Sequence, residues 1–327
     1  MAGSSRDMHQ RLVYLLIALA GCTGGEVARS TDIVSKDPDA SLSEIVITAP
    51  EPRFVAPTKR DQIGRIWAPV TINGKGPFRL AFDTGASRSG ISADVADTLG
   101  LSPDTSHSVL LRGAMGSMAV PTVRVDSFEV GDVIETPVTL PILPTALGGA
   151  EGVLGMEGFV DKRVFIDFGH DVITITHSHR ERAPRDFASI PVERSTSNLL
   201  LVRALVGGVR VQAFIDTGAQ TTIGNQAMRA ALVRRHAEGT AIQVTDVTME
   251  TENAEEFPCP PVELGSIKIR MGSIIYRDLP IFEHWHLSHE PALLIGMDAL
   301  GLLDVFIIDY RRHELQMRVR GSPKASI

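Results

Sequence analysis

Two stretches of this chain set the same four residues in the same surroundings: LAFDTGASRSGIS at 80–92 and AFIDTGAQTTIG at 213–224. Each places an aspartate after a short apolar run and before a threonine and a glycine. One D-T-G alone is an ordinary turn sequence, since Asp and Gly both favour turns. Two copies of D-T-G-A with matching flanks, 133 residues apart, are far too improbable to be chance at normal residue frequencies. The chemistry such a pair offers is acid–base work. Two carboxylates a few ångströms apart do not both ionise readily, so they share a proton. One then takes a proton from water while the other gives one to a carbonyl oxygen, and the pair titrates as a unit. Asp83 and Asp216 are the expected catalytic pair, one from each half of the chain.

Their neighbours suit that task. The runs LAF and AFI bury the incoming strands and so fix the loops, while Gly85 and Gly218 permit close backbone approach and bring amide donors near the carboxylates. The frame around the loops is also duplicated. WAPVTINGKGPFRLAFDTG reads as strand, N-G turn, strand, loop; LLLVRALVGGVRVQAFIDTG repeats the plan with G-G at the turn. A helix should follow each loop, capped by Ser92 and stopped by Gly100 in the first half, and capped by Asn225 in the second. EGVLGMEGFVDKRVFIDFGHDVITI (151–175) then matches ALLIGMDALGLLDVFIIDYRRHELQM (292–317), with Gly155 and Gly296 in equivalent places and Asp167 and Asp309 following them. The order of parts is that of a duplicated β-rich unit. A polar connector, HSHRERAPRDF (177–187), separates the copies.

These residues resemble the aspartic proteases, and specifically the retropepsin-like branch found in bacteria, over roughly residues 54–320. The resemblance implies an all-β, bilobal acid-protease fold with a few short helices, two homologous lobes (54–183 and 184–327) and a cleft between them. It implies that Gly155 and Gly296 complete psi loops across the D-T-G turns, and that Thr84 and Thr217 bond to the opposite loop. A flap should cover the cleft. VLLRGAMGSMAV (109–120) fits one, with Gly113, Ala114, Met115, Gly116 and Ser117 at a mobile, substrate-binding tip. The stretch VTMETENAEEFPC (247–259) has no glycine and carries Glu250, Glu252, Glu255 and Glu256, so a single working flap is expected, with the acidic face either solvated or selecting basic substrate residues. Ala86 and Ala219 stand where pepsin-like enzymes carry a hydroxyl that would lower the carboxylate pKa, so the expected pH optimum is less acidic. The implied activity is hydrolysis of peptide bonds in polypeptides, with no cofactor and no metal. The alternative is a binding protein that keeps the cleft but does not cleave. Two halves in one chain imply a monomer; a rival arrangement pairs each half with another chain.

The first residues read differently. Arg6 and Arg11 precede LVYLLIALA (12–20), nine apolar residues, well short of the ~20 a membrane-spanning helix needs but suited to a signal-peptide core. The run ends in L-A-G-C, which resembles a bacterial lipobox: residues 1–21 are the expected lipoprotein signal peptide and Cys22 the lipidated residue. Thr23 after it points to the periplasmic side of the outer membrane. Residues 22–53 read as a tether, in which IVIT (45–48) is able to add an edge strand.

Other classes find no support. With 32 basic and 39 acidic residues the net charge is −7, and no basic cluster interleaves with aromatics, so nucleic acid is not an expected partner. Cys259, in FPCPP, has only Cys22 as a possible disulfide partner and reads as a small, partly buried residue. His284, His286 and His289 crowd HWHLSHE; on a strand the first two would share a face as a metal pair, but no metalloprotease spacing accompanies them. No phosphate loop, dinucleotide fingerprint or G-x-S-x-G elbow occurs.

Overall fold

The computed structural model describes residues 66–112, 117–131, 133–144, 149–170, 172–194, 199–232, 239–246 and 251–319, together with the strands Leu12–Leu15, Leu19–Gly21 and Ile45–Thr48. The fold is mainly β, with short helices between the strands. Strand formation follows side-chain alternation. Trp67–Ile72 alternates partly and fully buried residues, and Leu200–Val206 repeats that pattern with exposed residues at Arg203 and Leu205. Each is paired to the next strand through the turn read from the sequence. Asn73 and Gly74 (φ 50° and 69°) and Gly207 and Gly208 (φ 55° and 86°) occupy the left-handed region that a tight two-residue hairpin requires.

The two halves build the same sheet. In the first, the hydrogen-bonded order is Val133–Glu135, Phe128–Val130, Trp67–Ile72, Lys75–Phe82, Gly152–Leu154, Gly90–Ser92, Val138–Leu143, Ser117–Val125, Asp104–Arg112. In the second it is Ile267–Ile269, Val262–Leu264, Leu200–Val206, Val209–Ile215, Ala292–Ile295, Ile223–Gly224, Ser273–Tyr276, Thr251–Pro258, Thr240–Asp246. The orders correspond strand for strand. Both expected helices form, Ala93–Leu99 and Gln226–Leu232. Ser92 Oγ accepts from Val95 N at 3.3 Å, Gly100 ends the first helix at φ 74°, and Asn225 Oδ1 accepts from Met228 N at 2.9 Å.

A third sheet joins the halves, in the order Ala188–Pro191, Glu314–Val319, Leu303–Asp309, Lys162–Asp167, Val172–His177, Ile45–Thr48. Its central pairing runs from Arg163 opposite Asp309 to Asp167 opposite Val305. The IVIT segment does add an edge strand, with Ile47 opposite Ile173, in the place that Ile190 takes opposite Leu315 in the other half. The hydrophobic core is continuous between the halves here; Phe159 of the first lies against Tyr310 of the second, ring centroids 6.2 Å apart.

The polar connector is clamped rather than loose. Ser178 Oγ donates to the buried Asp309 carboxylate at 2.7 Å, and Arg311 and Arg312 donate to the carbonyls of Ser178 and Arg180, each at 3.1 Å. Arg163 Nε lies 3.9 Å from the other Asp309 oxygen. Asp309 thus ties a first-half strand, the connector and its own turn, whose Arg312 amide it accepts at 3.0 Å. Replacing Asp309 with alanine leaves buried donors without an acceptor, and should cost about 3 kcal/mol of unfolding free energy in urea titration. Replacing the exposed Asp126 should shift the midpoint far less.

Candidate active site

Each D-T-G loop is the bend between a strand and the segment leading to its helix, and each is crossed by the glycine-ended strand of the later repeat. Asp83 N donates to Leu154 O and Asp216 N donates to Ile295 O, both at 3.0 Å. Farther along, Met156 N donates to Ala86 O at 2.9 Å and Met297 N to Ala219 O at 2.8 Å. Gly155 and Gly296 therefore sit where two backbones touch. A Cβ on Gly155 would lie 2.3 Å from the carbonyl carbon of Arg88, and one on Gly296 would lie 2.8 Å from that of Thr221.

The loops then lock to each other. Thr84 Oγ1 donates to Ile215 O at 2.8 Å and accepts from Thr217 N at 3.0 Å. Thr217 Oγ1 donates to Phe82 O at 2.7 Å and accepts from Thr84 N at 3.0 Å. Every polar atom of both hydroxyls is thereby used, and all four groups are buried. This brings Asp83 and Asp216 together at the junction, at 0% and 1% exposure. Each carboxyl lies against the glycine of the other loop: a Cβ on Gly218 would fall 2.3 Å from the Asp83 carboxyl, and one on Gly85 would fall 2.7 Å from Asp216 Oδ2. Only glycine leaves that room.

Amides aim at the carboxyls as well. Gly85 N donates to Asp83 Oδ1 at 2.8 Å; Gly218 N and Ala219 N donate to Asp216 Oδ1 at 2.8 and 3.0 Å. The buried Ala86 and Ala219 side chains bring no hydroxyl to the site. Burial first, and then the Asp83 carboxyl beside it, hold Asp216 well above the usual carboxylate range. Such a pair keeps a proton at pH values where an isolated carboxylate has lost it.

A second layer escaped the sequence reading. Gly155 N donates to Ser89 Oγ at 3.0 Å, and Gly296 N donates to Thr222 Oγ1 at 3.1 Å. The amide of Ser89 donates in a short contact to Glu157 Oε1; the amide and hydroxyl of Thr222 donate to Asp298 at 3.0 and 2.6 Å. An acid two residues past each psi-loop glycine thus braces the hydroxyl residue six past each aspartate. The signal lay in the repeat: D-T-G-A-S-R-S beside D-T-G-A-Q-T-T, and G-M-E beside G-M-D.

The remaining candidates fall as follows. The first hairpin, Asp104–Arg112 with Ser117–Val125, forms with Arg112 opposite Ser117; Gly113, Ala114, Met115 and Gly116 lie outside the described residues, as does Cys22. The second half also forms a hairpin in the equivalent place, with Thr245 opposite Thr251, despite its lack of glycine. Of its acidic residues, Glu255 pairs with Arg229 at 3.3 Å and Glu256 accepts from Ser273 Oγ; Glu250 lies outside the described residues. His284 ends the helix Pro280–His284 and His286 has φ 59°, so they do not share a strand face. The apolar residues of that segment do the packing: Trp285 stacks on Phe214 with ring centroids 3.6 Å apart. Among the described residues no group of His, Cys, Asp and Glu is arranged to hold a metal ion. Burial pushes the Cys259 thiol up to about 12, far from a thiolate nucleophile at neutral pH.

A fold of two equivalent β lobes meeting at a buried carboxyl pair defines the acid-protease class of architecture. Residues 68–157 match the family model described as Aspartyl protease. That segment holds the first D-T-G loop and the first psi-loop glycine. A solved structure of a retropepsin-like aspartic protease from Rickettsia conorii is similar to 43% of this chain and 96% of its own, at 17% sequence identity and a TM-score of 0.30. No curated protein sequence matches the chain.

The threonine lock makes a quantitative expectation. Thr84→Val keeps the shape but strands a buried carbonyl and a buried amide, so it should cost about 1–3 kcal/mol in denaturant unfolding. Thr84→Ser should restore most of that. Because Thr84 and Thr217 serve one network, the double valine variant should lose clearly less than the sum of the singles, which a double-mutant cycle reads directly.

Proposed function

We propose that this protein is an aspartic endopeptidase whose Asp83 and Asp216 carboxyls activate a water molecule against a peptide bond. The observation that carries the reading is the meeting of two buried carboxyls, one from each lobe, each against the other loop's glycine. With one proton between them, the ionised carboxyl removes a proton from water as its oxygen attacks the peptide carbonyl carbon. The protonated carboxyl gives its proton to the carbonyl oxygen. Collapse of the resulting gem-diol breaks the C–N bond: one gem-diol hydroxyl returns its proton to the carboxylate that had protonated the carbonyl oxygen, the proton first taken from water passes to the departing amine, and the pair returns to its starting state. Rigid loops matter because the two carboxyls must stay within reach of one water throughout.

A polypeptide substrate is supported by the chain itself. The strand Leu12–Leu15 runs parallel to Gln243–Asp246 of one hairpin, and Leu19–Gly21 runs antiparallel to Leu110–Arg112 of the other. These two short strands thus add backbone hydrogen bonds to both hairpins, the mode by which extended peptides bind sheet edges. The stretch that holds them has the composition of a signal-peptide core and ends at the L-A-G-C motif. On this reading the enzyme is an exported lipoprotein, acylated at Cys22 and held at the periplasmic face of the outer membrane. Both carboxyls come from one chain, so a monomer suffices, acting on envelope polypeptides.

The test compares residues 23–327 with the Asp83→Asn and Asp216→Asn variants on a diverse peptide library from pH 3 to 8. The parent should cleave, and each variant should lose at least about a hundredfold in kcat, since the general acid–base contribution is itself about 10²–10⁴. Activity should peak well above pH 2, because Ala86 and Ala219 supply no acidifying hydroxyl. A folded parent as inert as both variants would leave the carboxyl pair as part of a binding cleft only.

A further inference from the structure

The two acid braces are alike in position but not in how they are satisfied. Asp298 uses both oxygens: Oδ2 accepts from Thr222 N at 3.0 Å, while Oδ1 accepts from Thr222 Oγ1 at 2.6 Å and Ala299 N at 2.8 Å. Glu157 reaches the Ser89 amide through Oε1, and its Oε2 is buried without a hydrogen-bond partner among the described residues. A buried, unsatisfied carboxylate oxygen is costly. The cost falls on the turn 155–158, where the psi-loop glycine hands its amide to Ser89.

Two carboxyls and one guanidinium surround this turn. A Cβ on Gly155 would lie 2.7 Å from Glu157 Oε2, and one on Gly158 would lie 3.0 Å from Glu135 Oε1, so two carboxyls flank the same turn. Glu135 comes from the strand Val133–Glu135, and the cation acting on it is Arg88 of the first D-T-G loop. On the turn's own downstream side, Asp161 and Lys162 are engaged with His177. In the second lobe the position matching Glu135 is the buried Ile269, and that matching Arg88 is Thr221. The second acid therefore has no carboxylate across its turn.

We propose that Glu157 is a positioning residue for Asp83, a brace that holds the first catalytic loop while it keeps a proton and loosens that loop when it loses one. This rests on the aspartic-protease reading of the site. In the protonated form the carboxyl oxygen Oε1 accepts from Ser89 N and charge is absent beside Glu135. Loss of the proton buries a charge whose Oε2 has no partner: the Ser89 hydrogen bonds favour the ionised form, burial and then Glu135 oppose it more strongly, and the cost is relieved by moving the turn that carries Gly155 and Glu157 toward solvent. Burial, with Glu135 adding to it, pushes Glu157 up to about 7, which sets the pH window in the neutral range.

Two measurements decide it. In the active protein, Glu157→Gln keeps the acceptor for Ser89 and cannot ionise. The ratio of kcat at pH 8 to kcat at pH 6 should rise about tenfold over the parent, as expected for removing a group that titrates one unit below pH 8. Glu157→Ala should lower kcat at every pH, and KM should change little. A Glu157→Gln profile that follows the parent's overturns the proposal. The second measurement needs no activity. In the Asp216→Asn background, thermal stability should fall as pH rises from the ordinary carboxylate range through about 7, because the folded state holds the Glu157 proton more tightly than the unfolded chain does. Adding Glu157→Gln should flatten that fall, and unchanged slopes overturn the proposal. If the parent cleaves nothing, the enzymatic reading fails, while the melting comparison still decides whether Glu157 is a proton-linked brace.

Discussion

Holding two buried carboxyls side by side is the constraint from which the rest of this structure follows. Their mutual repulsion and their lost hydration both work against the folded state. The protein answers by over-determining the geometry. Each loop is fixed by its own strand, by the glycine-ended strand crossing it, and by the threonine of the opposite loop. No single bond in that set is strong in net terms, each contributing about 1 kcal/mol. Their value is that they close on one another: shifting Asp83 outward breaks bonds made by Thr84, Thr217 and Phe82 together.

The same demand explains how rigidity is distributed. The loops sit mid-sheet, flanked by strands on both sides, and the lobes are joined behind them by a shared sheet and a continuous core. The hairpins 104–125 and 240–258 lie at the far end of each lobe's sheet. Segments with fewer partners open at lower free energy. Chemistry that needs fixed carboxyls but must admit a polymer is well served by that gradient, since entry strains the hairpins and leaves the pair in place. The clamped connector extends the argument: Asp309, Arg163 and Ser178 remove a hinge that would otherwise let the two halves of the site drift apart.

What the sequence made legible was whatever was local or repeated. The hairpin turns at Asn73–Gly74 and Gly207–Gly208, the caps at Ser92 and Asn225, and the doubled D-T-G could each be read from a few adjacent residues. The braces could not. Ser89 and Glu157 are 68 residues apart, Thr222 and Asp298 are 76 apart, and nothing in either local stretch marks the bond. Only aligning the two halves makes the spacing visible. The His284–His289 stretch shows the same limit: its three histidines are conspicuous in sequence, while the stack of Trp285 on Phe214 that positions the segment is made over a distance in sequence that periodicity does not reach. The second hairpin, by contrast, follows from the duplicated plan: 240–245 pairs with 251–256 although the stretch between them holds no glycine.

Duplication gives the two lobes the same backbone plan, yet the immediate surroundings of the two carboxyls are not identical. The fourth residue of the motif already breaks the symmetry. Ala219 N turns toward Asp216 Oδ1, whereas Ala86 N donates to the backbone carbonyl of Asp83 at 3.2 Å. The bracing layer breaks it again, with a short acid fully engaged on one side and a longer one left with a buried, unmatched oxygen on the other. Neither change disturbs the main-chain contacts that both lobes must keep, because each acts through a side chain or a single redirected amide. Differences of that kind are the ones a duplicated site tolerates, since the backbone hydrogen bonds that set the two D-T-G loops are the same on both sides.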